Sequence, residues 1–202
     1  MKRKLLTLAA ISIGLTGCSS LSQKECQTGD WKGIGYRDGL QGKQPSEISE
    51  HQKACSDYRI KLDTEEYERG REAGLAKYCL PNNGYRLGKN GKPYSFVCPK
   101  ALEEKFLEEY SEGKAYYHQK NHVNKLNASI KKTNADIEQL KRDSLAKSKQ
   151  IIQDGTTPAT RAVLLLDIKD IDDQIAAKME SLRSLKKYAE LEQYRLDTID
   201  RK

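Results

Sequence analysis

Five cysteines and three histidines are the side chains of this 202-residue chain with chemistry to offer beyond charge. The cysteines are Cys18, Cys26, Cys55, Cys79 and Cys98. No two form a C-x-x-C pair, so neither a dithiol redox motif nor a zinc ribbon has its usual spacing. His118 and His122 lie four residues apart, on one face of any helix that carries them, and could share a metal. No third ligand accompanies them and no H-E-x-x-H pattern occurs. His51, four residues before Cys55, reads as a surface residue beside a disulfide. There is no G-x-S-x-G nucleophile motif. The carboxylates Glu65, Glu66, Glu68, Glu103, Glu104, Glu108 and Glu109 interleave with Lys and Arg at helical spacing, which describes a solvated face rather than an acid–base pair. The expectation is a non-enzyme with no metal and no cofactor.

An odd cysteine asks for a separate role, and the start of the chain supplies one. Met1-Lys2-Arg3-Lys4 is positively charged, and Leu5 to Leu15 is an apolar run too short to span a hydrocarbon core of roughly 30 Å as a helix. That is the form of an export signal. Leu15-Thr16-Gly17-Cys18 resembles the bacterial lipoprotein signal, in which the cysteine is lipidated and becomes the mature N-terminus. The resemblance implies residues 1–17 as signal peptide, Cys18 as the lipidation site and residues 18–24 as a lipidated linker. Ser19 after the cysteine, by resemblance to the Gram-negative sorting pattern, implies the outer membrane, with the chain facing the periplasm.

Residues 1–17 carry three of the 36 Lys and Arg, leaving 33 against 29 Asp and Glu, so the pI near 9.0 owes much to the signal. In an oxidising compartment Cys26, Cys55, Cys79 and Cys98 form an even set, and two disulfides follow. Four cysteines allow three connectivities. The sequential one, Cys26–Cys55 with Cys79–Cys98, is favoured because each link can close soon after export. A mean hydropathy of −0.81 and two Phe leave little for a large apolar core, so such staples would matter.

Composition divides the chain. Of 14 aromatic residues, 12 fall between Trp31 and Tyr117, along with the four paired cysteines, which predicts a compact domain over residues 25–118. Helices are predicted from Trp31 after Asp30, from Glu47 to Tyr58 after Ser46, from Thr64 to Tyr78 after Asp63, and beyond Pro99. Tyr85 to Tyr94, with Asn90-Gly91 at its middle, predicts a short β-hairpin. Residues 119–202 have another character. Val123, Leu126, Ile130, Thr133, Ile137, Leu140, Ser144, Lys147 and Ile151 keep a three-four alternation. Leu164, Ile168, Ile171, Ile175, Leu182, Leu185, Ala189, Leu196 and Ile199 repeat it after Asp154-Gly155-Thr156-Thr157-Pro158. A turn near 154–158 makes this an antiparallel helical hairpin, a coiled coil with arms of about 50 to 60 Å. The fold class expected is mainly α: a small disulfide-stapled helical domain with one short β-hairpin, then the long helical hairpin.

Three segments share an arrangement of glycines: Gly35 with Gly39, Gly70 with Gly74, and Gly113 followed by Tyr117. Glycine inside a helix costs about 1 kcal/mol relative to alanine, so i, i+4 pairs need a reason. Trp31, Gly35, Tyr36, Gly39, Tyr67, Gly70, Gly74 and Tyr78 therefore form either a smooth packing face or a ligand surface for glycan or peptide. Whether the segments are true repeats is left open by their unequal spacing.

The runs GDWKGIGYRDGLQGK, HQKAC, YERGREAGLAKYC, NGYRLGKNGKPYSFVCP and YSEGKAYY resemble the bacterial lipoprotein family known as domain of unknown function 2799, over about residues 25–118. The resemblance implies an envelope lipoprotein with a disulfide-bearing domain and implies no activity. Residues 18–118 hold 16 basic and 16 acidic residues and residues 119–202 hold 17 and 13, a surplus spread along both arms with no phosphate-binding cluster, so nucleic acid is not an expected partner. The functional expectation is a periplasmic binding or scaffolding module, held to the membrane by its N-terminal lipid and reaching an envelope protein through the helical hairpin. The alternative is a cell-wall (peptidoglycan) ligand domain or envelope enzyme using the aromatic, glycine-lined surface.

Overall fold

The computed structural model describes residues 20–199, so the signal sequence and Cys18 lie outside the described residues. Among the described residues seven helices follow one another: α1 (Gln23–Thr28), α2 (Trp31–Gln41), α3 (Glu47–Ser56), α4 (Thr64–Tyr78), α5 (Pro81–Lys89), α6 (Lys100–Ile151) and α7 (Pro158–Ile199). No strand occurs among the described residues. The chain forms two compact units. One comprises the described residues up to Cys79 together with Ser95–Leu102, the other Leu80–Tyr94 together with Glu103 onward.

In the first unit, local signals start the helices. Asp30 Oδ1 accepts from Gly33 N at 2.9 Å and Asp63 Oδ1 from Glu66 N at 3.0 Å, each satisfying an amide that the helix start leaves without a partner. Leu21, Cys26, Trp31, Ile34, Cys55, Leu62 and Tyr67 bury together, with Ile48, Ala54 and Ile60 packed on them. Cys26 pairs with Cys55 and Cys79 with Cys98. Sequence separations of 29 and 19 make each link worth roughly 3 kcal/mol by restricting the unfolded chain. Residues 20–24 are no linker: Leu21 is buried in this core, and Ser22 caps α1 in a reciprocal box with Glu25. α3 ends at Ser56, two residues before the expected Tyr58. There Arg59 turns left-handed (φ 58°) and Ile60 N bonds back to Cys55 O at 3.1 Å, reversing the chain toward Leu62.

In the second unit the expected β-hairpin is a helix. Pro81 sits at the start of α5, where its missing N–H costs nothing, and Gly91 (φ 67°) closes the helix, with Lys92 N donating to Leu87 O at 3.1 Å. The Asn-Gly pair is a helix terminator here, and the close approach of α5 to α6 through Gly84 and Gly88 is a tertiary gain that local turn propensity does not register. α6 then runs 52 residues without a break, through the boundary expected at residue 118. Gly155 (φ 86°) and a Thr157 cap, its Oγ1 accepting from Thr160 N at 3.2 Å, start α7. Contacts of Gln119 with Glu192, Asp136 with Lys178 and Lys147 with Asp167 descend along α7 as they ascend along α6, so the two helices are antiparallel. Each apolar seam position predicted on both arms is buried or half-buried.

Candidate functional site

α2 crosses α4 through reciprocal notches. A Cβ on Gly35 or Gly39 would collide with the backbone of Tyr67, Arg71 and Gly74, and one on Gly70 or Gly74 with the backbone of Lys32 and Tyr36. α5 and α6 cross in the same way: Gly84 lies on the carbonyl of Phe106, Gly88 on that of Tyr110, and Gly113 on that of Tyr85. The sequence carries the correspondence. Gly35-Tyr36-Arg37-Asp38-Gly39-Leu40-Gln41-Gly42-Lys43 aligns with Gly84-Tyr85-Arg86-Leu87-Gly88-Lys89-Asn90-Gly91-Lys92 without a gap. Gly42 and Gly91 both turn left-handed, at 65° and 67°, and rest on the rings of Tyr78 and Tyr117. Even a side-chain bond repeats: Arg71 Nη2 donates to Lys43 O and Tyr110 Oη to Lys92 O, each at 3.0 Å. The glycine segments are therefore two copies of one helix pair. The first copy contains an extra helix of ten residues, α3, between its partners, which explains the unequal spacing in the sequence.

Among the differences between the copies, one sets buried polar groups of the first against apolar ones of the second. Where the second has Leu87 and Phe106, the first has Asp38 and Tyr67, and the added α3 supplies His51. Asp38 Oδ2 accepts from Tyr67 Oη at 2.9 Å and faces His51 Nε2 at 2.6 Å. Asp38 Oδ1 is 3.3 Å from Lys43 Nζ, which also pairs with Glu47 Oε1 at 2.8 Å. His51 Nδ1 lies 3.0 Å from Ser20 Oγ, and its ring meets Tyr67 edge-on. With a carboxylate on Nε2, that nitrogen carries the proton. His51 is 1% exposed, so the surface position expected for it is corrected: α3 folds it inward because Asp38 offers a buried acceptor. Burial pushes the Asp38 carboxyl up, but the hydrogen bonds from His51 and Tyr67, with attraction to His51 and Lys43, outweigh it and hold it below the ordinary carboxylate value. Burial and the bond to Asp38 raise the Tyr67 phenol. Lys43 is raised too: burial opposes its charge, and Glu47 and Asp38 more than offset that.

Hydroxyl, imidazole and carboxylate stand in line, as in a nucleophilic triad, yet the imidazole is sealed. Depressions of about 450 Å³ beside Lys61 to Thr64 and about 420 Å³ beside Ile130 and Tyr194 include none of the three. What the arrangement does chemically is tie Ser20, α2, α3 and α4 into one hydrogen-bonded knot. Of the residues proposed from sequence as a ligand or packing surface, Trp31, Gly35, Gly39, Tyr67, Gly70, Gly74 and Tyr78 are buried in helix packing and Tyr36 is 38% exposed.

The second unit pairs its own polar residues. Glu192, 2% exposed in the α6/α7 seam, accepts from Gln119 Nε2 at 2.8 Å and from Arg195 Nη1 at 2.6 Å. The Gln119 bond leads in holding its carboxyl below the usual value, against the pull of burial. Lys147, a polar position in the predicted seam, and Lys178, between the seam residues Ile175 and Leu182, bind Asp167 and Asp136 across the hairpin. His122 Nε2 reaches Tyr188 Oη at 3.3 Å, and among the described residues no group of three or more His, Cys, Asp or Glu is placed to hold a metal. The end of the hairpin is the contrast: Leu145, Ile152, Val163, Leu165 and Leu166, flanking the turn, are 56–80% exposed.

Residues 30–115 match the family model described as protein of unknown function (DUF2799). The match takes in both glycine-notched helix pairs and stops short of most of α6 and all of α7. No curated protein and no solved structure matches the chain.

Proposed function

Starting from residues 30–115 as a domain of the DUF2799 family, we propose that this protein is an outer-membrane lipoprotein of the periplasm, anchored through Cys18, that works without catalysis as a docking module for an envelope protein. The observation that carries this reading is the apolar end of the helical hairpin. Five large aliphatic side chains stand in solvent there: Leu145 in the last two turns of α6, Ile152 just after it, and Val163, Leu165 and Leu166 in the first three turns of α7. Elsewhere the polar seam residues Lys147, Lys178 and Glu192 are paired inside the hairpin, so the seam itself has little left to offer a further helix. A partner covering the hairpin end would gain roughly 25 cal/mol for each Å² of apolar surface removed from water.

A photo-crosslinker at Ile152 in the full chain, in cells, is expected to capture a discrete envelope protein, and L145S/L166S to weaken that capture several-fold. Equal capture by the double variant would remove the hairpin end from the reading. Palmitate labelling and membrane fractionation test the anchor. The alternative, a peptidoglycan or other cell-wall ligand on the aromatic face, has less support because Trp31, Tyr67 and Tyr78 are buried and the glycine faces are filled by backbone. Peptidoglycan co-sedimentation of the chain without the hairpin end addresses it.

A further inference from the structure

We infer that the disulfide-stapled unit is seated directly on the phospholipid headgroups rather than held away from them on a tether, an inference that rests on Cys18 being the lipid-bearing N-terminus. Ser20, the first described residue, is already fastened to the unit. Ser20 Oγ meets the buried His51 Nδ1 at 3.0 Å, Leu21 is 4% exposed in the core, and Ser22 is locked to Glu25 through three hydrogen bonds of 2.7–3.3 Å. Four residues later Cys26 is covalently joined to Cys55. These holds are of different kinds and come from α1, α3 and the core, so the chain cannot peel away by losing one.

Covalent geometry does the rest. Ser20 is two residues from Cys18, and two peptide steps span at most about 7 Å. Ten flexible residues would by contrast give an r.m.s. reach of about 17 Å. Acyl chains inserted in a leaflet therefore bring the Ser20 corner of the unit to within a side chain's length of the headgroup layer. The partner for this face is a phospholipid surface.

The test uses the full-length lipidated protein on vesicles of phosphatidylethanolamine and phosphatidylglycerol carrying dansyl-labelled phosphatidylethanolamine. Trp31, the sole tryptophan, shares the core cluster of Leu21 and serves as energy donor. Inserting ten Gly and Ser residues between Ser19 and Ser20 should at least halve the transfer, and inserting five should give an intermediate value, while the proteins still float with the vesicles. Equal transfer from wild type and both insertions would overturn the inference. Should the insertions disturb the fold, the wild type alone decides: amides of residues 21–28 must exchange slowly on vesicles, and exchange at random-coil rates would overturn it. Loss of palmitate incorporation and of flotation in the wild type would instead mark the failure of the lipoprotein reading itself.

Discussion

Replacing Asp38 with leucine, the residue its counterpart Leu87 already is, puts the polar knot to a quantitative test. The substitution leaves two buried donors, Tyr67 Oη and His51 Nε2, without their acceptor, in side chains 0% and 1% exposed. Each orphaned donor costs about 1–3 kcal/mol, and the added apolar burial returns about 1–2 kcal/mol, so D38L should lose about 1–4 kcal/mol. Y67F in the wild-type background removes one partner of a satisfied bond and should cost about 1 kcal/mol. In the D38L background the same Y67F deletes an orphaned hydroxyl and restores the Leu and Phe pair of the second copy, so it should stabilise by about 1 kcal/mol. The sign of Y67F therefore reverses. Urea unfolding of the oxidised chain lacking residues 1–18, followed by the fluorescence of Trp31 in the same core, measures each corner of the cycle. A Y67F effect of equal sign and size in both backgrounds would refute the coupling through Asp38.

Further outcomes follow from the same geometry. Because the folded Asp38 carboxyl lies below its unfolded value, its stabilisation is fully present above the ordinary carboxylate pKa of about 3.9 and is lost as pH falls through the lowered folded value. Acid unfolding read at Trp31 should thus lose part of its pH slope in D38L. Gly39→Ala and Gly88→Ala each drive a Cβ into opposing backbone rather than a movable side chain, and each should cost at least about 2 kcal/mol by denaturant unfolding. C26S/C55S should cost roughly 3 kcal/mol, reading as a lower midpoint under non-reducing conditions.

Much of the architecture is written locally. Asp30 and Asp63 name their helix starts, Gly155 and Pro158 name the turn of the long hairpin, and the three-four alternation from Val123 and from Leu164 names the seam residue by residue. These signals survive because caps, turns and helical periodicity act over a few residues, and nothing distant opposes them. Asn90-Gly91 shows the limit: the dipeptide suits a β-turn or a helix end equally well, and only the seating of α5 on α6 through Gly84 and Gly88 selects the latter.

The repeat was half legible. The glycine segments of α2, α4 and α6 stand out together in the sequence, but in α5 Gly84 adjoins the expected β-hairpin and Gly88 lies within it, and only the backbone that each glycine meets pairs α2 with α4 and α5 with α6. Glu192 and His51 were not legible as buried residues, since a charged or titratable side chain reads as solvent-facing until a partner is found. Gln119 stands 73 residues from Glu192, and Ser20 31 residues from His51. By itself the sequence determined a helical protein with an even set of sulfurs in its body and an apolar seam in its hairpin, because those follow from periodicity, capping and counting. The tertiary structure alone decided that Asp38, Tyr67, His51 and Ser20 meet, because hydrogen bonds between residues far apart in the chain exist only after the helices have packed.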